Sequence, residues 1–348
     1  MTRILTVTPN QPEAQPIAEA ATCLKGGGLV AFPTETVYGL GVSALDAAAV
    51  RRLFAAKGRP ATDPLIVHVA SARDIAPLVA GHVPEVEALA ARFWPGPLTL
   101  VLPRSPIVPD EVTAGLDTVA IRVPAHPVAQ ALLRAAAIPV AAPSANLFSR
   151  PSPTRASHVV EDLDGRIDLV LDGGSTHVGV ESTVLDLTGD VPTVLRPGAV
   201  TLEMLRAVLP AVRARAQDAS DAGPQRSPGL LTRHYSPRAP LTLYEGSRDA
   251  LLQRLGRDAQ ASSAAGRRVG VLLADDDPFD APGVIRPPLG PASDAVAIAA
   301  RLYAALRELD AAGVDEIFAR APPATGGLGA AIVDRLRRAA AGRVVHCG

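Results

Sequence analysis

Short apolar runs alternate with amphipathic stretches along the whole chain. Residues 12–25 carry apolar positions at helical spacing and run into Gly26-Gly27-Gly28. With no Gly-Lys-Ser/Thr behind it, the triple glycine reads as a helix stop rather than a phosphate loop. Leu29-Val-Ala-Phe32 is a continuous apolar run, the mark of a short buried strand. It breaks at Pro33. Thr34, Glu35, Thr36 and Tyr38 then occupy a turn, and Gly39 and Gly41 are expected to interrupt regular structure there. Asp46 is placed to cap a helix through Val50, Leu53 and Phe54 that ends at Lys57-Gly-Arg-Pro60.

The same periodicities predict strands over 64–69, 98–102, 118–123, 169–171 and 183–187, one opening at Pro139 and one closing at Arg196. Helices are expected over 71–80, 84–93, 126–136 and 201–209, and another opens at Ser152-Pro-Thr154. Beyond about residue 239 the pattern becomes strictly alternating. Strands at 241–244, 268–273 and 314–319 interleave with helices at 247–256, 292–309 and 328–340, as in a small α/β domain with a mostly parallel sheet. The organisation expected is a first domain over 1–210, a linker over 211–238 rich in Ala, Arg, Asp, Ser and Pro, and a second domain over 239–348.

At 348 residues, two domains are the natural division, and 48% hydrophobic residues suffice for two cores. The formal net charge of −1 leaves no electrostatic footprint for nucleic acid, so no strong direct binding to it is expected. Cys23 and Cys347 stand at opposite ends and form neither a disulfide framework nor a metal cluster. No apolar run approaches the roughly 18 residues of a membrane span, and the N-terminus lacks a signal peptide's apolar core. A soluble cytoplasmic protein is expected.

Lys25 and Lys57 are the only lysines, and Asn10 and Asn146 the only asparagines. An ammonium is a compact, rotatable charge that a guanidinium fork does not replace at a crowded phosphate, which singles out Lys57. Several strand or helix ends then deliver polar or basic groups: Thr34, Lys57 with Arg59, His68, Arg122, Ser144 with Asn146, Ser182 and Arg196. Acids at these junctions are few, namely Glu35, Asp63 and Glu181. Such a balance suits a polyanionic ligand such as a nucleotide. Taken singly, each residue has a plainer reading. The threonines also cap turns, the arginines also make surface ion pairs, and a histidine in an apolar strand also fills a core.

The stretch Ala31–Gly41, with Lys57-Gly-Arg-Pro60, Phe93-Trp-Pro-Gly-Pro-Leu98, Arg122-Val-Pro, Ala142-Pro-Ser-Ala-Asn146, Ser152-Pro-Thr154, Glu181-Ser-Thr183 and Leu195-Arg-Pro-Gly198, resembles the YrdC-like domain of the L-threonylcarbamoyladenylate synthase family. Ser227–Pro237 and the trailing α/β domain resemble the family's longer, two-domain branch. The resemblance implies an α/β fold: an open, twisted, mixed sheet in the YrdC-like domain and a smaller Rossmann-like C-terminal domain. It implies synthesis of threonylcarbamoyl-AMP and pyrophosphate from L-threonine, bicarbonate and ATP, with the product passed to the tRNA threonylcarbamoyl-transfer machinery.

Carried over by motif, Thr34, His68, Arg122, Ala142 and Ser182 would surround threonine and the carbamate. Lys57, Arg59, Ala61, Thr118, Ser144, Asn146, Ser152 and Arg196 would hold ATP, with Lys57 and Arg59 as the catalytic pair and Tyr235 reaching back from the linker. Mg²⁺ would be held mainly by the phosphates of ATP, with no protein metal site. Leu231-Thr232 before Arg233 departs from the basic and aromatic residues common in the family's linker. Two other readings compete. One is a YrdC-like module that binds RNA without adenylation. The other is carbamoyl transfer of the hydrogenase-maturation type, whose cysteine zinc motifs two distant cysteines do not supply.

Overall fold

The computed structural model describes residues 1–215, 234–322 and 326–348. These fall into two units: Met1–Phe148 with residues 152–215, and Ser149–Pro151 with residues 234–322 and 326–348. The linker segment Ser227–Arg233 lies outside the described residues.

The first unit begins with β1 (Arg3–Thr6), α1 (Ala14–Lys25), β2 (Val30–Pro33), β3 (Tyr38–Ser43), α2 (Ala47–Lys57) and β4 (Ile66–His68). A 3₁₀ turn (Ala72–Leu78) and α3 (Glu85–Phe93) lead to β5 (Leu98–Pro103), α4 (Asp110–Thr113), β6 (Thr118–Arg122), α5 (Pro127–Ala136) and β7 (Val140–Ala141). It closes with α6 (Ala156–Leu163), β8 (Leu169–Asp172), β9 (Thr183–Asp186), β10 (Thr193–Arg196), α7 (Leu202–Arg206) and β11 (Arg213–Ala214). The described strands form one mixed sheet in the order β1-β8-β2-β3-β7-β4-β6-β5-β9-β10-β11.

The elements follow from local chemistry. Asp46 accepts hydrogen bonds from the amides of Ala48 and Ala49 to start α2, and Gly58 ends it in the left-handed region at φ 62°. Gly39 and Gly41, expected to break the chain, instead lie inside β3, which pairs antiparallel with β2. A Cβ at Gly41 would sit 2.8 Å from the Phe32 ring and 2.9 Å from Val140. The glycine is there to let the hairpin pack, not to bend it. Trp94 is half-buried against the main core and donates from Nε1 to the Leu98 carbonyl at 2.7 Å.

Period-two alternation in the central strands separates core from site. Leu65, Val67, Val69, Leu98, Leu100, Leu102, Val119, Ile121 and Val123 all join the main hydrophobic core. Their strand neighbours Ile66, His68, Thr99, Val101, Thr118, Ala120 and Arg122 therefore belong to the opposite face. There Ile66, Val101, Ala120 and Val184 make a small apolar floor of their own. Register places His68 beside Arg122 on β4 and β6, and Arg122 beside Thr99 on β5.

The second unit contains β12 (Leu241–Gly246), α8 (Arg248–Ala264), β13 (Val269–Leu272), α9 (Ala295–Ala311), β14 (Glu316–Arg320), α10 (Gly327–Ala340) and β15 (Val344–Cys347). Its sheet, in the order β13-β14-β12-β15, is parallel throughout, as the alternation implies. Helix α8 runs past Gly256, where the sequence pattern predicts its end, because Leu251, Leu255 and Ala259 continue one buried stripe. Within this unit Tyr235 is buried, with its ring 5.5 Å from that of Tyr303 and the Arg335 guanidinium 5.4 Å from it.

Candidate active site

Two groups of polar side chains come together on the first unit. One gathers around Arg122. Its Nη2 donates to Glu35 Oε1 at 2.5 Å, its Nη1 to Thr36 Oγ1 at 3.0 Å, and its Nε to the Gly96 carbonyl at 3.2 Å. Thr34 shapes the loop that brings Glu35 and Thr36 there. Its Oγ1 donates to the Val37 carbonyl at 2.7 Å and accepts from the amides of Thr36 and Val37. Thr34 thus performs the turn-capping role that its residue type also suggests. Burial pushes the Glu35 carboxyl up, but the charge and hydrogen bond of Arg122 and the backbone amides of Glu35 and Ala125 together outweigh it and hold the group below its ordinary value.

His68 lies on the same row. Burial, and then the positive charge of Arg122, push its imidazole down to about 3, so the ring is neutral at physiological pH. Its Nδ1 is 3.2 Å from the Ile66 carbonyl, and its edge meets the Phe32 ring. Ala142, buried at the end of β7, donates its amide to the Ile66 carbonyl at 2.9 Å.

The second group is cationic. Lys57 is buried, and its Nζ donates to the carbonyls of Ser144 at 2.6 Å and Asn146 at 2.5 Å. It therefore ties the turn after β7 to the end of α2. Burial and the neighbouring Arg59 push its ammonium well below the ordinary lysine range. Asn146 is buried and donates from Nδ2 to the Leu147 carbonyl, while the Ser144 side chain is half-buried. Arg59 donates to the Pro64 carbonyl at 2.8 Å and faces Asp63 at 3.0 Å. Arg196 donates from Nε and Nη2 to the Ser182 carbonyl, at 3.1 and 3.0 Å, and from Nη2 to Ser182 Oγ at 3.2 Å.

Ser182 Oγ and Thr99 Oγ1 are 2.7 Å apart. Thr99 is the Arg122 neighbour in register, so Ser182 and Thr99 link the Arg196 end to the Arg122 end. Ser152 Oγ donates to Glu181 Oε1 at 2.5 Å. Thr118 opens the same sheet face, and Ala61 is exposed in the loop after Arg59. Tyr235 makes its described ring contacts inside the second unit.

Glu35, Asp63 and Glu181 stand out in the sequence only as rare acids. In the structure they are the site's anionic partners: Glu35 accepts from Arg122, Glu181 accepts from Ser152, and Asp63 is ion-paired with Arg59. Their rarity beside so many cations is the signal that could have found them. Among the described residues no three His, Cys, Asp or Glu side chains converge to hold a metal.

Two family models match the chain. The Sua5/YciO/YrdC model, described as telomere recombination, matches residues 22–198, and the model of the threonylcarbamoyl-AMP synthase C-terminal domain matches residues 200–341. The chain is 46% identical to the threonylcarbamoyl-AMP synthase of Pyrococcus abyssi, over 94% of each chain. It is 45% identical to that of Bacillus subtilis, over 97% of this chain and 95% of the relative. The crystal structure of P. abyssi Sua5 complexed with L-threonine matches 99% of each chain at 45% identity, with a TM-score of 0.93.

Proposed function

The chain belongs to the Sua5/YrdC family of threonylcarbamoyl-AMP synthases along nearly its whole length, and from that premise we propose how its site works. The enzyme joins L-threonine, bicarbonate and ATP into threonylcarbamoyl-AMP and pyrophosphate. The observation that carries this reading is the pairing of a cationic cluster with a separate arginine fork on one sheet, in a chain similar throughout to a protein solved with L-threonine.

Arg122, aligned by Glu35 and Thr36, receives the threonine carboxylate through an ion-paired fork. Neutral His68 and the Thr34 loop enclose the amino acid on the same side. Lys57, Arg59 and Arg196 face the triphosphate, with the turn at Ser144–Asn146 and Ser152 along the nucleotide. The threonine nitrogen adds to bicarbonate with loss of water, giving a carbamate. A carbamate oxygen then attacks the α-phosphorus, and the bond to the β,γ-diphosphate breaks to release pyrophosphate. Two anions must meet in this step, so fixed positive charge and positioning supply most of the rate. A Mg²⁺ ion brought in with ATP would add to that neutralisation. A hydrogen bond to the threonine hydroxyl rejects valine more strongly than packing of the methyl group rejects serine. The product is consumed in the cytoplasm by the machinery that threonylcarbamoylates tRNA.

The test is pyrophosphate release from ATP, with and without bicarbonate, using L-threonine, L-serine or L-valine. Release that depends on both threonine and bicarbonate is expected. Folded protein that releases none would overturn the reading.

A further inference from the structure

Asp63 has almost no exposed surface, and neither of its carboxylate oxygens accepts a hydrogen bond from any described residue. Arg59 Nη2 lies 3.0 Å from Oδ2 without hydrogen-bond geometry, and Arg59 Nε likewise has no partner among the described residues. Lys57 and Arg196, both buried, also act on Asp63 electrostatically. A buried ion pair with so few hydrogen bonds is a poor device for stability. Nor does the carboxylate meet a ligand directly, since its oxygens are covered. What remains is its charge, which acts on Lys57, Arg59 and Arg196 together, whereas the second nearby carboxylate, Asp162, acts on Lys57.

We propose that Asp63 is a resident counter-ion that neutralises the Lys57, Arg59 and Arg196 cluster in the ligand-free enzyme and weakens that cluster's hold on polyphosphate. The inference rests on the reading that these three residues face the triphosphate. Its physics has two opposite signs. Without ligand, Asp63 offsets repulsion among buried cations and so stabilises the fold. With pyrophosphate bound, Asp63 is a like charge beside it and raises the energy of the complex. Burial already pushes the Asp63 carboxyl up, against the pull of the three cations. The consequence is easier release of pyrophosphate after adenylation.

The test compares the full-length wild type with Asp63→Asn, by calorimetric titration with inorganic pyrophosphate and by thermal unfolding. The variant is expected to melt at lower temperature without ligand, yet to bind pyrophosphate roughly tenfold more tightly. Its stabilisation by pyrophosphate is expected to be correspondingly larger. If Asp63 only positions Arg59, affinity and stability fall together, and the proposal is overturned. Wild type that binds no pyrophosphate overturns the triphosphate reading and this inference with it. A variant too unstable to accumulate is expected to be recovered by refolding with pyrophosphate, and failure to recover it also counts against the proposal.

Discussion

Glu35 Oε1 accepts a hydrogen bond from Arg122 Nη2 at 2.5 Å, while its other oxygen accepts from the amide of Ala125 at 2.9 Å. The two side chains are 2% and 4% exposed. The hairpin turn after β2 and the chain leaving β6 are thus joined by one buried carboxylate. Arg122 is consequently held in a fixed orientation, and little side-chain entropy would remain to be lost on receiving the carboxylate proposed for it.

Glu35→Gln is therefore expected to raise the KM for threonine about tenfold or more, the loss of one charge-assisted contact, with little change in the KM for ATP. Removing one partner of a buried ion pair also destabilises the fold, by about 3–5 kcal/mol in typical cases. Steady-state kinetics with each substrate varied in turn, together with thermal unfolding, separate the two effects. An equal rise in both KM values would show that Glu35 has no special tie to the amino-acid half of the site.

Lys57→Ala is expected to cost stability as well as activity. Residue type alone suggests a phosphate ligand on an indifferent scaffold. The Nζ instead binds two main-chain carbonyls, of Ser144 and Asn146. Each acceptor left buried without its donor costs about 1–3 kcal/mol. The melting temperature should fall by several degrees, and adenylation should be lost. Retention of the wild-type melting temperature would show that the turn at 144–146 stands without Lys57.

The contrast between Lys57 and Gly41 shows what was legible in the sequence. Strands, most helices and the cationic character of the site follow from periodicity and residue type, because these reflect each segment's own chemistry. The strand character of Gly39 and Gly41 does not, since it depends on Phe32 from β2 and Val140 from β7 crowding the space a side chain would fill. The edge strands β11 and β15 are likewise set by the strands they pair with. The pairing of Glu35 with Arg122 joins residues far apart in the chain, and no local pattern encodes it. The chain order of the motifs implied, through the family resemblance, that these residues share one site, but not which acid holds which base.

Acid should destabilise the protein partly through His68. Burial depresses its imidazole from 6.5 to about 3 in the folded state. The unfolded chain therefore takes up a proton at a pH where the folded one does not. The contribution to stability is complete above pH 6.5 and is lost as pH falls toward 3. Between pH 6.5 and roughly 4.5 the wild type should lose about 2–3 kcal/mol more unfolding free energy than His68→Gln, measured by urea denaturation. Parallel curves for the two proteins would mean that His68 protonates as readily in the folded state as in the unfolded chain.

Gly198, two residues after Arg196, is expected to control the nucleotide half of the site through a close approach of two backbones. A Cβ there would lie 2.4 Å from the Thr183 amide nitrogen and 2.7 Å from the Glu181 carbonyl oxygen. Both are main-chain atoms, so a methyl group cannot be accommodated by rotating a side chain. Gly198→Ala must push the turn after β10 away from Ser182, whose carbonyl and hydroxyl hold Arg196. The expected result is a rise of roughly tenfold or more in the KM for ATP, the cost of losing one charge-assisted hydrogen bond, and some loss of stability from overpacking. At Gly189 a Cβ would meet no atom within 4 Å, so Gly189→Ala serves as the control and should change neither quantity. A Gly198→Ala enzyme with unaltered ATP kinetics would show that Arg196 keeps its place without the close contact between these two segments.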